Sequence, residues 1–243
     1  MGTLRDTGNK LGNRPDINTV TLVTQRIRLI IALRQSGVTD PDILSAFERV
    51  PREDFVPETF RHRCYDETAL PIGLGQTISD PNVVVRMISA LGVGKRLKVL
   101  EIGTGSGFQT AILSHLFRRI YTIERHAHLL EKAESRLNSL RRFNITAKAG
   151  DGTKGWPAQA PFDRIIAAAA AREIPELLVE QLAVGGVMVI PVGPEHGSQK
   201  VLRLTRTKDG ADISELFDVR FLPLVDGLPE KDLASGDVPL LAE

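Results

Sequence analysis

Leu22, Val23, Ile27, Ile30, Ile31 and Leu33 recur at near-helical spacing before Ser36-Gly37 closes the run, and this period predicts a first helix. Upstream, residues 1–19 are rich in Gly, Asn, Thr, Arg and Asp with no apolar period, the pattern of a flexible tail that buries too little to offset the entropy of ordering. Asp40-Pro41 supplies an N-cap and a first-turn proline for a second helix carrying Ile43, Leu44 and Phe47. Phe55 to Ser79, punctuated by Pro57, Pro71, Gly73 and Gly75, shows little period and reads as a long loop, and loops of that length usually carry function. A third helix is expected from Asp80-Pro81, with Val83, Val84, Met87, Ile88 and Leu91 facing inward.

The pattern then changes class. Short apolar runs at Leu97–Ile102, Ile120–Ile123, Ile145–Ala149, Arg164–Ala168 and Val187–Pro191 alternate with helical stretches carrying Phe108, Ala111, Ile112 and Leu116, then Leu129, Leu130, Ala133 and Leu137, then a helix opened by Pro175. Parallel strands need crossover connections, so this alternation predicts a doubly wound α/β fold with helices on both faces. Lys200 to Thr207, a Lys208-Asp209-Gly210 turn and an extended run through Phe221-Leu222 add an antiparallel hairpin, for a mostly parallel sheet of seven strands. The expected organisation is a tail over 1–19, a helical and loop segment over 20–95, an α/β core with its C-terminal hairpin over 96–228, and a second tail over 229–243.

Composition removes alternatives. With 31 basic against 30 acidic side chains the formal net charge is +1, so the broad positive face of a nucleic-acid binder is not expected. No apolar run approaches a membrane span, and Cys64 is the single cysteine, which points to a reducing cytoplasm and away from secretion and membranes. The five histidines, His62, His115, His126, His128 and His196, show no ligand spacing, so no metal is assigned.

The strongest chemical signal is Val99-Leu100-Glu101-Ile102-Gly103-Thr104-Gly105-Ser106-Gly107, a strand entering a glycine turn and then a helix. Its G-x-G-x-G spacing puts Phe108 where a dinucleotide fingerprint wants its third glycine, and Glu101 sets a negative charge where a diphosphate would sit. A cationic nucleoside suits the turn better, with Gly103, Thr104, Gly105, Ser106 and Gly107 allowing close backbone approach. Glu124, 21 positions after Gly103, ends the next strand, where such folds place an acid for the ribose hydroxyls. Helix capping is its plainer alternative, as a structural hydrogen-bonding role is for Glu101. Asp151-Gly152 ends the third strand and can offer a carboxylate and an N–H to adenine, or be an ordinary turn. Together these residues describe a site for S-adenosylmethionine, and methyl transfer is the implied chemistry.

Leu70-Pro71-Ile72-Gly73-Leu74-Gly75-Gln76-Thr77-Ile78-Ser79-Asp80-Pro81, with Val99 to Ala111, Gly150-Asp151-Gly152, Pro161-Phe162-Asp163, Leu182 to Gly193 and Arg220-Phe221-Leu222-Pro223-Leu224, resembles the protein-L-isoaspartate O-methyltransferases over about Arg26 to Gly227. The resemblance implies a Rossmann-like class I methyltransferase fold and an enzyme that methylates the α-carboxyl of L-isoaspartyl residues in damaged proteins, after which a succinimide permits return to aspartate. It implies that Ser79 is the active-site serine, that Thr77 helps orient the carboxylate, and that Gln76, Ile78 and Val225 contact substrate. Isoaspartyl proteins and peptides are the expected partners, with a monomer favoured over an oligomer. An α-carboxyl is ionised at neutral pH, so alignment and exclusion of water, rather than a strong base, are the catalytic demand.

From the residues alone, Ser79 or Asp80 can equally be the cap of the following helix. The family often has Gln or a small residue where this chain has Asp80, His or Tyr where it has Asn82, and in some members Thr where it has Val225. Whether Asp80 caps its helix or faces the pocket decides how far peptide preference is altered. Ala167 to Ala171 is read either as close backbone packing or as room for a peptide, and Cys64 as an inert thiol. Two other readings stay open: a methyltransferase with RNA or a small molecule as acceptor, and a non-catalytic module that binds the cofactor or damaged peptides.

Overall fold

The computed structural model describes residues 17–229. Most of both expected tails lies outside them; residues 17–19 instead form the first turn of helix α1 (Ile17–Gln35), which starts earlier than the apolar period suggests. Helix α2 (Pro41–Arg49) is capped by Asp40, whose side chain accepts from the N–H groups of Asp42 and Ile43. The stretch expected as a loop carries two 3-10 turns, Arg52–Asp54 and Glu58–Arg63, followed by a small antiparallel hairpin, β1 (Leu70–Gly73) and β2 (Gln76–Ile78). Leu74 and Gly75 form its turn with φ of 52° and 68°, the two positive angles that a tight hairpin needs.

Helix α3 (Pro81–Leu91) leads into the sheet: β3 (Gly94–Ile102), α4 (Phe108–Leu116), β4 (Phe117–Glu124), α5 (Ala127–Ser139), β5 (Ile145–Ala149), β6 (Phe162–Ala167), α6 (Glu176–Glu180), β7 (Leu182–Val192), β8 (Gln199–Arg206) and β9 (Ala211–Val219). The strand order is β5-β4-β3-β6-β7-β8-β9. The first five are parallel, and β8 and β9 add antiparallel to β7. This is the expected mostly parallel seven-stranded sheet with its C-terminal hairpin. Order reverses between β3 and β6, so the crevice beyond their carboxyl ends is where an open sheet of this kind receives a ligand.

Period-2 alternation sorts the strand residues onto two faces. Val99, Ile120, Ile166, Val187 and Val189 pack with α2, α3 and α4, while Leu100, Ile102, Ile165, Met188 and Ile190 form a second cluster with Leu178 of α6. Leu29, Leu33 and Phe55 belong to the first cluster, so the N-terminal segment shares its core with the sheet. Arg26 locks α1 onto this segment: its Nη2 lies 2.6 Å from Glu53 Oε1 and its Nε donates to Tyr65 Oη at 2.7 Å, while Tyr65 in turn donates to Glu53.

Glu101, at the end of β3, is fully buried beneath the glycine turn. It accepts from Gln109 Nε2 at 3.0 Å, Thr110 Oγ1 at 2.5 Å and Thr122 Oγ1 at 2.8 Å, so it ties β3 to α4 and β4. Burial pushes its carboxyl up to about 7, against the pull of these three donors. Above it, Gly107 opens α4 with φ of 89°, and a Cβ there would lie 3.2 Å from Ala133 Cβ of α5.

Two outcomes are expected. Because Glu101 holds its proton in the folded state to a higher pH than the ordinary value of 4.5, folding binds a proton across that window and stability falls as pH rises from about 4.5 to about 7, then levels. Denaturant unfolding of wild type and E101Q over this range should show the wild-type advantage shrinking by ~3 kcal/mol; parallel curves would contradict it. G107A should cost about 1–2 kcal/mol from its positive φ alone, read as a melting temperature lower by several degrees.

Candidate active site

Backbone bonds bring the carboxyl ends of β3, β4 and β6 to one level. Gly103 N–H donates to Ile123 O at 2.8 Å, Ala168 N–H to Ile102 O at 2.8 Å, and Gly105 N–H to the Glu124 carboxylate at 2.8 Å. The glycine turn is thereby held as an open loop over the β3/β6 crevice. At Gly103, with φ of 90°, a Cβ would stand 3.5 Å from that of Ala168, so the loop and the small-residue run approach each other closely. Within that run Ala168 and Ala169 face the cleft, while Ala167, Ala170 and Ala171 are buried.

The cleft is open at its mouth, and its lining comes from segments far apart in the sequence. Gly103, Thr104, Gly105, Ser106, Glu124 and Gly152 line it. Gln76, Thr77 and Ile78 of β2, Ser79 just after it, and Val225 line the same space. The glycine turn and the Gln-Thr-Ile-Ser run, separate in sequence, therefore face one space.

Three residues expected at the cofactor stand away from the cleft lining. Glu101 lies under the turn with its carboxylate engaged by Thr110, Thr122 and Gln109, the structural alternative weighed for it. Gly107 is covered by Ala133 of α5. The Asp151 carboxylate accepts from Thr153 N–H and Oγ1 at 2.9 and 2.6 Å and from Gly227 N–H at 3.0 Å, and Lys154 Nζ lies 3.3 Å away. Burial alone would raise its pKa, but the hydrogen bonds from Thr153 and Gly227 win and hold it below the usual carboxylate range. Asp151 thus fastens the segment at Gly227, while the Gly152 backbone faces the cleft; a Cβ at Gly152 would stand 2.5 Å from Ile102 Cγ2.

Glu124 is 5% exposed, and its carboxylate also accepts from His126 N–H at 3.0 Å, at the start of α5. Each oxygen keeps a lone pair beyond these backbone bonds, so anchoring the helix leaves the carboxylate able to accept further donors. Asp80 turns back on its own helix: its Oδ1 accepts from Asn82 N–H at 2.7 Å. Asn82 Nδ2 donates to Glu67 at 3.0 Å. Asp80 is therefore the cap, and Ser79 is left half-buried on the cleft wall beside the positive end of α3.

A further part of the lining comes from the segment after β9. After β9 the chain crosses the sheet rim, with Ala170 N–H donating to Leu222 O at 2.8 Å and Leu224 N–H to Ala170 O at 2.7 Å. Leu222, Pro223 and Leu224 consequently join Val225 in the lining. The sequence reading extended the last strand through Phe221-Leu222 and missed this turn; Pro223, which cannot donate to a ladder, was the available signal.

Arg52 was also missed. It is fully buried, donating from Nε to Cys64 O at 2.7 Å and from Nη2 to Ser79 O, on the Gln76–Ser79 run, at 2.8 Å. Its guanidinium carbon sits 4.8 Å from the centroid of the Phe108 ring, and its Nη1 has no hydrogen-bond partner among the described residues. Burial lowers its pKa to about 10, with Asp80 the leading opposing influence, so it stays charged at neutral pH. Only its place between two prolines, Val50-Pro51-Arg52 and Pro57, hinted at a fixed position. Cys64 is buried and free, and desolvation raises its thiol to about 11, which makes it inert. Among the described residues no group of three or more His, Cys, Asp or Glu is placed to hold a metal, and no helix is long and apolar enough to cross a membrane.

Comparison with known proteins covers nearly the whole of this architecture. The chain is 56% identical over 215 residues to a protein-L-isoaspartate O-methyltransferase of Rhodospirillum rubrum, covering 88% of this chain and 98% of that one. A solved protein-L-isoaspartate O-methyltransferase structure matches with TM-score 0.74 and 26% identity over 82% of this chain; the match spans 65% of that longer chain, just under two thirds. A Plasmodium falciparum structure, described as a beta-aspartate methyltransferase in complex with S-adenosyl-L-homocysteine, matches with TM-score 0.70 and 25% identity, covering 82% of this chain and 98% of that one. The profile of the protein-L-isoaspartate(D-aspartate) O-methyltransferase family matches residues 24–229, and the chain belongs to that family.

Proposed function

We propose that this chain transfers the methyl group of S-adenosylmethionine to the α-carboxyl of L-isoaspartyl residues in damaged proteins, and that the cleft between the glycine turn and the Gln76–Ser79 run is where it does so. The observation that carries this reading is the convergence of those two runs on one space. The cleft suits the cofactor: Gly103 and Gly105 offer close backbone approach at positive φ, and Glu124 keeps lone pairs for two hydroxyls. Gly103, Thr104, Gly105, Ser106, Glu124 and Gly152 are assigned to hold it.

The cofactor supplies an electrophilic methyl on a sulfonium; the protein has to deliver the acceptor. Ser79 and Thr77 orient the carboxylate, assisted by the N-terminal dipole of α3, which Asp80 caps from behind. Gln76, Ile78 and Val225 border the peptide around it. The carboxylate oxygen forms its bond to the methyl carbon as the sulfur–carbon bond breaks, and no proton moves. Opposite charges meet and cancel, so the residues gain rate by alignment and by excluding water with the Leu222–Val225 segment, not by acid–base transfer. The neutral ester then allows succinimide formation and return to aspartate. The sole cysteine, a buried free thiol, supports a reducing cytoplasm as the site of action.

Radiolabelled methyl donor offered with an isoaspartyl peptide and its aspartyl twin should give base-labile label on the first alone; label on neither, or on RNA, would overturn the reading. S79A should lower turnover ~10- to 100-fold, the scale of one positioning hydrogen bond, with cofactor affinity within about twofold. E124A should weaken cofactor binding ~10- to 100-fold, as measured by titration with S-adenosylhomocysteine. Equal loss of cofactor affinity in both variants would contradict the division of roles.

A further inference from the structure

Arg52 is a buried cation whose guanidinium makes no direct ion pair among the described residues, with the charge of Asp80 the leading influence that opposes its burial. Its two hydrogen bonds go to neutral carbonyls, those of Cys64 and Ser79. Asp80, the acid whose charge it feels, spends Oδ1 on the α3 cap. Phe108 covers one face of the guanidinium and is itself held edge-on by Phe47 and Phe55, with ring centroids 6.0 and 5.6 Å away. Nη1 is buried with its hydrogen-bonding capacity unspent. Such an arrangement costs stability, since an unpaired charge away from water is strongly disfavoured. Ser79 and Phe108, the residues it touches, both line the cleft.

We propose that Arg52 makes the cleft selective for a charged acceptor: its counter-charge is the carboxylate of the isoaspartyl substrate, and it loses that partner when methylation produces the neutral ester. This rests on the acceptor site proposed above and adds the residue that reads the acceptor's charge. Arg52 acts through space and through the Ser79 backbone; it is a specificity-determining and positioning residue.

The charge argument fixes which kinetic constant responds. A fixed cation attracts the full negative charge of the bound carboxylate more than the partly neutralised charge of the transition state. It therefore strengthens substrate binding without accelerating the transfer. Once the oxygen carries the methyl group, the attraction is gone and the product leaves an environment built for an anion. Removing the cation should raise KM for the peptide and leave kcat equal or higher, the reverse of what a loosened active site gives.

The decisive measurement is the affinity of an isoaspartyl peptide relative to its neutral carboxamide twin, in the presence of saturating S-adenosylhomocysteine. Wild type should prefer the carboxylate about tenfold or more, a modest return for a charge pair in a partly solvated cleft. R52M should bring that ratio close to one and raise KM ~10- to 100-fold at undiminished kcat, whereas R52K should keep most of the preference. Melting temperature and S-adenosylhomocysteine affinity identify a variant that has not folded. If R52M does not fold, R52K and wild type decide, since a ratio near one in either would overturn the proposal. An R52M ratio equal to wild type, or a fall in kcat at constant KM, would also overturn it. If S79A also leaves peptide binding and turnover unchanged, the acceptor site itself is misplaced; a normal S79A defect with an unchanged R52M ratio removes the role of Arg52 alone.

Discussion

Everything at the functional end of this protein depends on three hydrogen bonds from backbone N–H groups at the carboxyl ends of neighbouring strands: Gly103 to the Ile123 carbonyl, Ala168 to the Ile102 carbonyl, and Gly105 to the side chain of Glu124. A glycine turn is intrinsically loose, and left alone would sample many shapes. Here β4 holds the turn directly through Ile123 and Glu124, β6 fixes the end of β3 that enters it, and Glu101 ties the helix that follows it to β3 and β4. That carboxylate, with no exposure to solvent, exchanges its own hydration for three hydroxyl and amide donors. The turn thus presents a rigid surface to a ligand, and little entropy remains to be lost when one arrives.

Much of this was legible in the chain. Alternating strand and helix periods lead to the doubly wound sheet, and the Lys208-Asp209-Gly210 turn to the terminal hairpin, because burial on two faces leaves no other economical pattern. The positions of Ser79, Thr77, the glycine turn and Glu124 follow from motifs that sit at strand and helix ends. What stayed hidden depends on contacts distant in sequence. Glu101 and Asp151 carry the residue types of ligand-binding acids, yet their oxygens are taken by Thr110, Thr122, Thr153 and Gly227. No local pattern reveals a partner 76 positions away. The β1–β2 hairpin escaped because Pro71 and two glycines break its alternation, and its turn uses Leu74 where Asn would advertise it.

Arg52 was invisible for a related reason. An arginine beside a proline in a charged stretch is ordinarily solvated, and only the fold encloses it between Phe108 and the Cys64 and Ser79 carbonyls. The N-terminal segment supplies it, and that segment is secured by Arg26, Glu53 and Tyr65. Helices α1 and α2 therefore do more than cover a hydrophobic face: they hold a buried positive charge against the wall that Ser79 and Phe108 present to the cleft.

The strap formed by Leu222 to Leu224 has one further bearing, on the order in which the molecule is made. It is joined to Ala170 by a hydrogen bond on either side of Pro223, and Gly227 is tied to Asp151. Both hydrophobic clusters draw on β8, through Val201 and Leu204, and the first also on Val219 of β9, so the strap follows directly on the strands that complete the core. Until residues 222–224 are in place, the sheet and the glycine turn stand without the part of the cleft lining that Leu222, Pro223 and Leu224 supply, so the cleft is completed only after β9 has docked.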